Sequence, residues 1–137
     1  MNQNDFSARL IQLLLSFTIH ESLIADLVAI LARSGKEEKF LSTFLARVKY
    51  LLDVRKNAVK NKEYEPLSHT NAGLYSMHVD IRDYNIRILY AFLPDDAPVL
   101  LLGFYEKAGK RRTDYTPHIP KAEQRLTEIL KEYDEDE

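Results

Sequence analysis

Between Gly73 and Tyr115 the chain reads GLYSMHVDIRDYNIRILYAFLPDDAPVLLLGFYEKAGKRRTDY, and three apolar runs within it are joined by very little chain. The runs are Leu74 to Ile81, Asn85 to Leu93 and Pro98 to Tyr105. They are rich in Val, Ile, Leu, Tyr and Phe, residues that suit a pleated, half-buried surface. Arg82-Asp83-Tyr84-Asn85 makes one reversal and Pro94-Asp95-Asp96-Ala97-Pro98 the other. Proline presets φ and aspartate favours a turn, so both breaks read as tight. Connections this short leave neighbouring strands no choice but to run antiparallel, which predicts a β-meander over residues 73–106.

A period of two assigns the faces. Ser76, His78 and Asp80 share one face of the first strand, joined by Arg82 if the pleat continues to the turn. On the second strand Arg87 projects with Leu89 and Ala91, opposite Ile86, Ile88 and Tyr90. Both faces of that strand are apolar at its middle, which marks a central strand covered on both sides. An arginine there needs water, a partner or an anionic ligand, because an unpaired buried charge is costly. Asp80 and Glu106 are its candidate ionic partners, and His78 reads equally well as a satisfied sheet histidine or a functional one.

Helical spacing dominates before the meander. Phe6, Leu10, Leu13, Leu14 and Phe17 fall at helical intervals, although Leu10 to Leu15 is also an apolar run of strand length. Thr18 and Glu21 have capping-box spacing, predicting a second helix that Ser34-Gly35 would end. A third helix is expected over 36–58, giving N-terminal helices across 5–58, and 61–72 reads as loop. Pro120 suits the first position of a last helix over 120–133, with Ala122, Leu126, Ile129, Leu130 and Tyr133 on one stripe. The expected fold is α+β in one domain, residues 1–137. N-terminal helices pack on one face of a small antiparallel meander, and a C-terminal helix follows. The other sheet face should be partly polar or covered by a partner.

Composition limits the chemistry. The chain has no cysteine, which excludes disulfides and thiolate metal sites and fits a reducing, cytoplasmic setting. His20, His69, His78 and His118 have no short ligand spacing, so no metal is expected. Neither a glycine-rich phosphate loop nor a nucleophile elbow is visible. The first apolar run follows Asn2, Asn4 and Asp5 rather than a basic segment, so no leader is expected, and no run is long enough to span a bilayer. A net charge of −2 means that any affinity for nucleic acid must come from a local patch. Such a patch exists: Arg82, Arg87, Lys107, Lys110, Arg111 and Arg112 come from strand ends and the segment that follows them, with His78, Tyr105, Tyr115 and His118 near in sequence. Cations attract phosphate, while tyrosine and histidine stack on bases or move protons. RNA supplies its own 2′-hydroxyl nucleophile, so its cleavage needs only a base, an acid and positive charge. The same Lys-Arg-Arg also reads as an ordinary solvated loop.

Gly73-Leu74-Tyr75, Ile86-Arg87-Ile88-Leu89-Tyr90, Leu101-Leu102-Gly103-Phe104 and Lys107, in that order, resemble the RelE/ParE toxin superfamily, its HigB-like, phage-derived branch above all. Thr116-Pro117, Ala122 and Arg125 continue the likeness, which covers residues 70–130. The resemblance implies a small antiparallel sheet flanked by helices. It implies a toxin of a toxin–antitoxin pair, silenced by a cognate antitoxin, that cleaves mRNA on the ribosome without cofactor or metal. Carried over, Arg87 contacts the scissile phosphate, Lys107 is one of the family's lysine pair, and Lys110, Arg111 and Arg112 fall in its basic stretch. This chain departs from the pattern at Ser76, where the family has glutamate, at His78, where it has arginine, and at Glu106, the first position of the lysine pair. Arg82 is then the substitute for the missing charge. The expected site has Arg87, Arg82 and Lys107 on the phosphate and His78, Tyr105 or Glu106 moving protons. Lys110, Arg111, Arg112, Tyr115 and His118 would hold RNA. The departures keep open a non-nuclease toxin of the same fold that inhibits a protein such as gyrase, or an inactive homologue that only binds antitoxin.

Overall fold

The computed structural model describes residues 1–68, 73–106 and 113–135. The meander is present, with β3 at Tyr75–Ile81, β4 at Tyr84–Phe92 and β5 at Pro98–Glu106. Two shorter strands extend it at the edges: β1, Thr18–Ile19, and β2, Tyr64–Pro66. Among the described residues these form one sheet in the order β1-β5-β4-β3-β2, antiparallel throughout except that β1 runs parallel to β5. The first reversal is tighter than expected: Ile81 pairs with Tyr84, so only Arg82 and Asp83 turn, and Asp83 takes φ 70°. Aspartate tolerates that left-handed conformation because its short side chain bonds locally. In the second reversal Asp96 takes φ 67°, and Asp95 Oδ1 accepts from the Ala97 amide at 3.0 Å.

Four α-helices complete the α+β fold: α1 (Gln3–Leu13), α2 (Ser22–Leu31), α3 (Glu37–Val54) and α4 (Ile119–Glu135). The opening segment is helical, with Asn2 Oδ1 capping the Asp5 amide at 2.8 Å. Thr18 is no helix cap. It lies in β1, and α2 starts after Glu21 with no side-chain cap. The third helix ends at Val54, where Arg55 takes φ 54°, and a 3₁₀ helix covers Arg55–Lys60. The segment expected as loop over 61–72 contains β2, whose Pro66 is tolerable because the strand is an edge. The last helix begins one residue early, with Pro120 second.

β4 is buried on both faces, as its sequence requires. Ile86, Ile88 and Tyr90 join Met77, Val79, Ile81 and Leu100 against α1, α2 and α3. Gly103 lies on the same side, and a Cβ there would stand 2.9 Å from Leu27 Cδ2, so α2 packs closely on β5. Leu89, Ala91, Val99, Leu101, Leu102 and Phe104 form a second core with Ala122 and Leu126 of α4. A register shift makes Leu101 the extra residue of β5 and keeps both cores apolar: Leu89 pairs with Leu102, but Tyr90 pairs with Leu100. The C-terminal helix therefore lies on the face opposite the other three, along β5 and β4. Arg125 fastens it across the β5 edge, binding both carboxylate oxygens of Asp26 at 2.6 and 3.2 Å, and Asp26 also accepts the Gly103 amide. No helix among the described residues is long and apolar enough to cross a membrane.

Candidate functional site

α4 covers only part of its sheet face, and a polar cleft lies beside it. β3 sends Ser76, His78 and Asp80 to this face, while the β2–β3 register sets Glu65 opposite Ser76. Across β4, Arg87 is the residue paired with His78. The segment entering α4 closes the other side with Thr113 and Tyr115. Glu65, His78, Arg87, Thr113 and Tyr115 are among the residues lining a cleft of about 630 Å³.

Two polar groups meet there. His78 Nε2 lies 2.9 Å from Glu65 Oε1 and 3.3 Å from the Tyr115 hydroxyl. That hydroxyl donates to Glu65 Oε1 and sits 2.9 Å from Ser76 Oγ. Burial works to raise the Glu65 pKa, but the bonds from Tyr115 and His78 and the charge of Arg87 outweigh it and hold the carboxyl below its usual range. Burial, and next the bond to Glu65, raise the Tyr115 pKa, so its phenol stays protonated and acts as a donor rather than a base. In the second group Arg87 Nη1 donates to Asp80 Oδ1 at 2.5 Å and to the Ile86 carbonyl, and Nε donates to Thr113 Oγ1 at 3.2 Å. Of the candidate partners for Arg87, the structure selects Asp80.

The predicted residues divide. Arg87, His78 and Tyr115 converge in the cleft. Glu106 shares the Arg87 face but lies at the end of β5, buried, with Oε1 lacking a hydrogen-bond partner among the described residues. Tyr105 is misplaced by the sequence reading: it pairs with Ile86 on the opposite face, against Tyr84. Arg82 does not join the row either, because β3 ends at Ile81 and Arg82 stands exposed in the turn. His118 stacks flat on Phe104, with ring centroids 3.6 Å apart, and burial lowers its pKa. Lys107, Lys110, Arg111 and Arg112 lie outside the described residues.

Glu65 and Thr113 were not foreseen as site residues. The signal for Glu65 was weak, since a three-residue edge strand ending in proline is too short for any test of alternation. Carboxylates of Glu63 and Asp80 and a ring nitrogen of His78 also come within 4.8 Å of one another and have the donor chemistry to hold a cation. Each carboxylate already faces an arginine, Glu63 that of Arg47 at 3.7 Å and Asp80 that of Arg87. Chemically, the cleft can ligate an anion through Arg87 and exchange protons through His78 and Glu65. No family model and no curated protein matches the chain.

Proposed function

We propose that this chain is a toxin of the RelE/ParE kind. It would cleave mRNA on the ribosome without a metal and be held silent by a cognate antitoxin. The observation that carries the reading is the His78–Glu65 pair, 2.9 Å apart on the same sheet face as Arg87. One member takes the proton of the RNA 2′-hydroxyl as that oxygen attacks phosphorus. The other gives a proton to the 5′-oxygen as the P–O5′ bond breaks, leaving a 2′,3′-cyclic phosphate and a 5′-hydroxyl. Arg87 offsets the charge gathering on the non-bridging oxygens. Tyr115, kept protonated, holds the Glu65 carboxylate in place. Lys107, Lys110, Arg111 and Arg112 supply backbone attraction from the segment leaving β5.

The test is cleavage of a labelled mRNA by the purified chain, with and without ribosomes and with chelator present. Cleavage is expected in the presence of chelator and should fall at least about a hundredfold in Arg87→Ala and His78→Ala, the usual weight of one acid, base or charge-stabilising group. Intact mRNA under every condition, or undiminished cutting by both variants, defeats the reading. The Asp80–Arg87 contact favours a second reading, a toxin of this fold that inhibits a protein target such as gyrase. Growth arrest with DNA-damage signalling and uncut mRNA would establish it.

A further inference from the structure

Arg87 does not present a free fork to the cleft. Nη1 is engaged by Asp80 at 2.5 Å, Nε by Thr113 at 3.2 Å, and Nη2 donates to nothing among the described residues. A phosphate is held best by two parallel N–H donors of one guanidinium, and a carboxylate now occupies one of them. The partners differ sharply in exposure: the Arg87 side chain is 10% accessible and that of Asp80 is 43%. The acid can swing into water, whereas the guanidinium cannot follow. Simple loss of Asp80 would leave a buried cation uncompensated, which is strongly unfavourable. Exchange of Asp80 for an incoming phosphate leaves no such charge.

We propose that Asp80 is a tethered counter-anion standing where the ligand's phosphate binds on Arg87, so that the cleft excludes weak small anions and opens to an RNA strand whose phosphate displaces it. The inference rests on the phosphate-binding part of the reading above and not on cleavage. Asp80 then sets selectivity: a single phosphate competes poorly with an attached carboxylate, while a strand anchored by further cations competes well. Glu65 and Asp114, which line the same cleft, add negative charge and raise the threshold for a lone anion.

The probe is a short 2′-O-methyl oligoribonucleotide, which lacks the nucleophile and cannot be cut, titrated against the full chain by fluorescence anisotropy. Asp80→Asn should tighten binding about tenfold or more, the weight of one charged hydrogen bond. It should also steepen the salt dependence by about 0.7 per phosphate newly neutralised. In an Arg87→Ala background the gain should vanish. Weaker or unchanged binding by Asp80→Asn overturns the proposal, since Asp80 would then merely position Arg87. An equal gain with Arg87 absent also overturns it, as a general charge effect. A wild-type measurement covers the event that the variant does not fold: the Asp80 carboxylate carbon resonance should move as oligonucleotide saturates the chain, and a stationary signal refutes displacement. No binding by any form removes the phosphate-binding premise as well. A chain that leaves mRNA intact yet shows the Asp80→Asn gain loses only the nuclease reading.

Discussion

Replacing Tyr115 by phenylalanine deletes one oxygen that Glu65, His78 and Ser76 share. Two losses follow. The bond to an ionised Glu65 belongs to a class worth about 1.5–3 kcal/mol when buried. The Glu65 side chain is 43% exposed, so water refills the vacancy and the net loss is roughly 0.5–1 kcal/mol. Ser76 is fully buried, and its hydroxyl bonds to nothing else among the described residues, so leaving it unpaired costs about 1 kcal/mol. The sum, about 1.5–2 kcal/mol, corresponds to a Tm drop of roughly 5–8 °C for a chain of this size. The effect also has a pH signature. Glu65 has a folded pKa below its unfolded value near 4.5, so its share of the stability is present above that value and is lost as pH falls through the folded pKa. Urea unfolding followed by circular dichroism at pH 7 should show the full difference between wild type and variant. At about pH 3.5 the Glu65 share should shrink and the Ser76 share remain. A difference below about 0.5 kcal/mol at pH 7, or one with no pH dependence, would refute this account of the cleft.

Two further substitutions test the scaffold. Arg125→Met keeps the apolar stem but leaves the Asp26 carboxylate, 19% exposed, with only the Gly103 amide among the described residues. Unfolding in urea should show a loss of about 2–3 kcal/mol, short of a fully buried broken pair, and adding Asp26→Asn should recover part of it. Tyr90→Phe removes a buried hydroxyl with no partner among the described residues, so the same assay should find stability unchanged or up to about 1 kcal/mol higher.

The residues of the candidate site were legible to the extent that periodicity reaches. Alternation grouped His78 with Asp80 on β3 and Arg87 with Leu89 and Ala91 on β4; it took the register, which makes His78 and Arg87 direct neighbours, to bring the two sets onto one face. The same rule counted Arg82 into that row, but its scope stopped where the pleat did, at Ile81. Tyr105 has suitable chemistry and lies near the basic segment in sequence, but its parity, one step from Phe104, sets it with Ile86 on the far side. The Thr18–Glu21 spacing satisfied a helix-cap pattern, yet β5 offered that backbone a better partner, with the His20 amide bonding the Leu100 carbonyl at 2.8 Å.

Local chemistry by itself determined the meander, its two tight turns, a middle strand buried on both sides and the amphipathic stripes of the later helices, while Leu10 to Leu15 fitted helix and strand alike. Each of these follows from side chains a few positions apart, over which backbone geometry enforces a period. Three-dimensional packing alone decided that α4 would take the face opposite α1, α2 and α3, stop short of β3 and leave a cleft. It also decided that Glu65 and Tyr115, 50 residues apart, would meet over Ser76 and His78, and that Asp26 would find Arg125 across 99 residues. Contacts of that range leave no periodic trace, because they depend on which edge and which face the last elements reach once the core has closed.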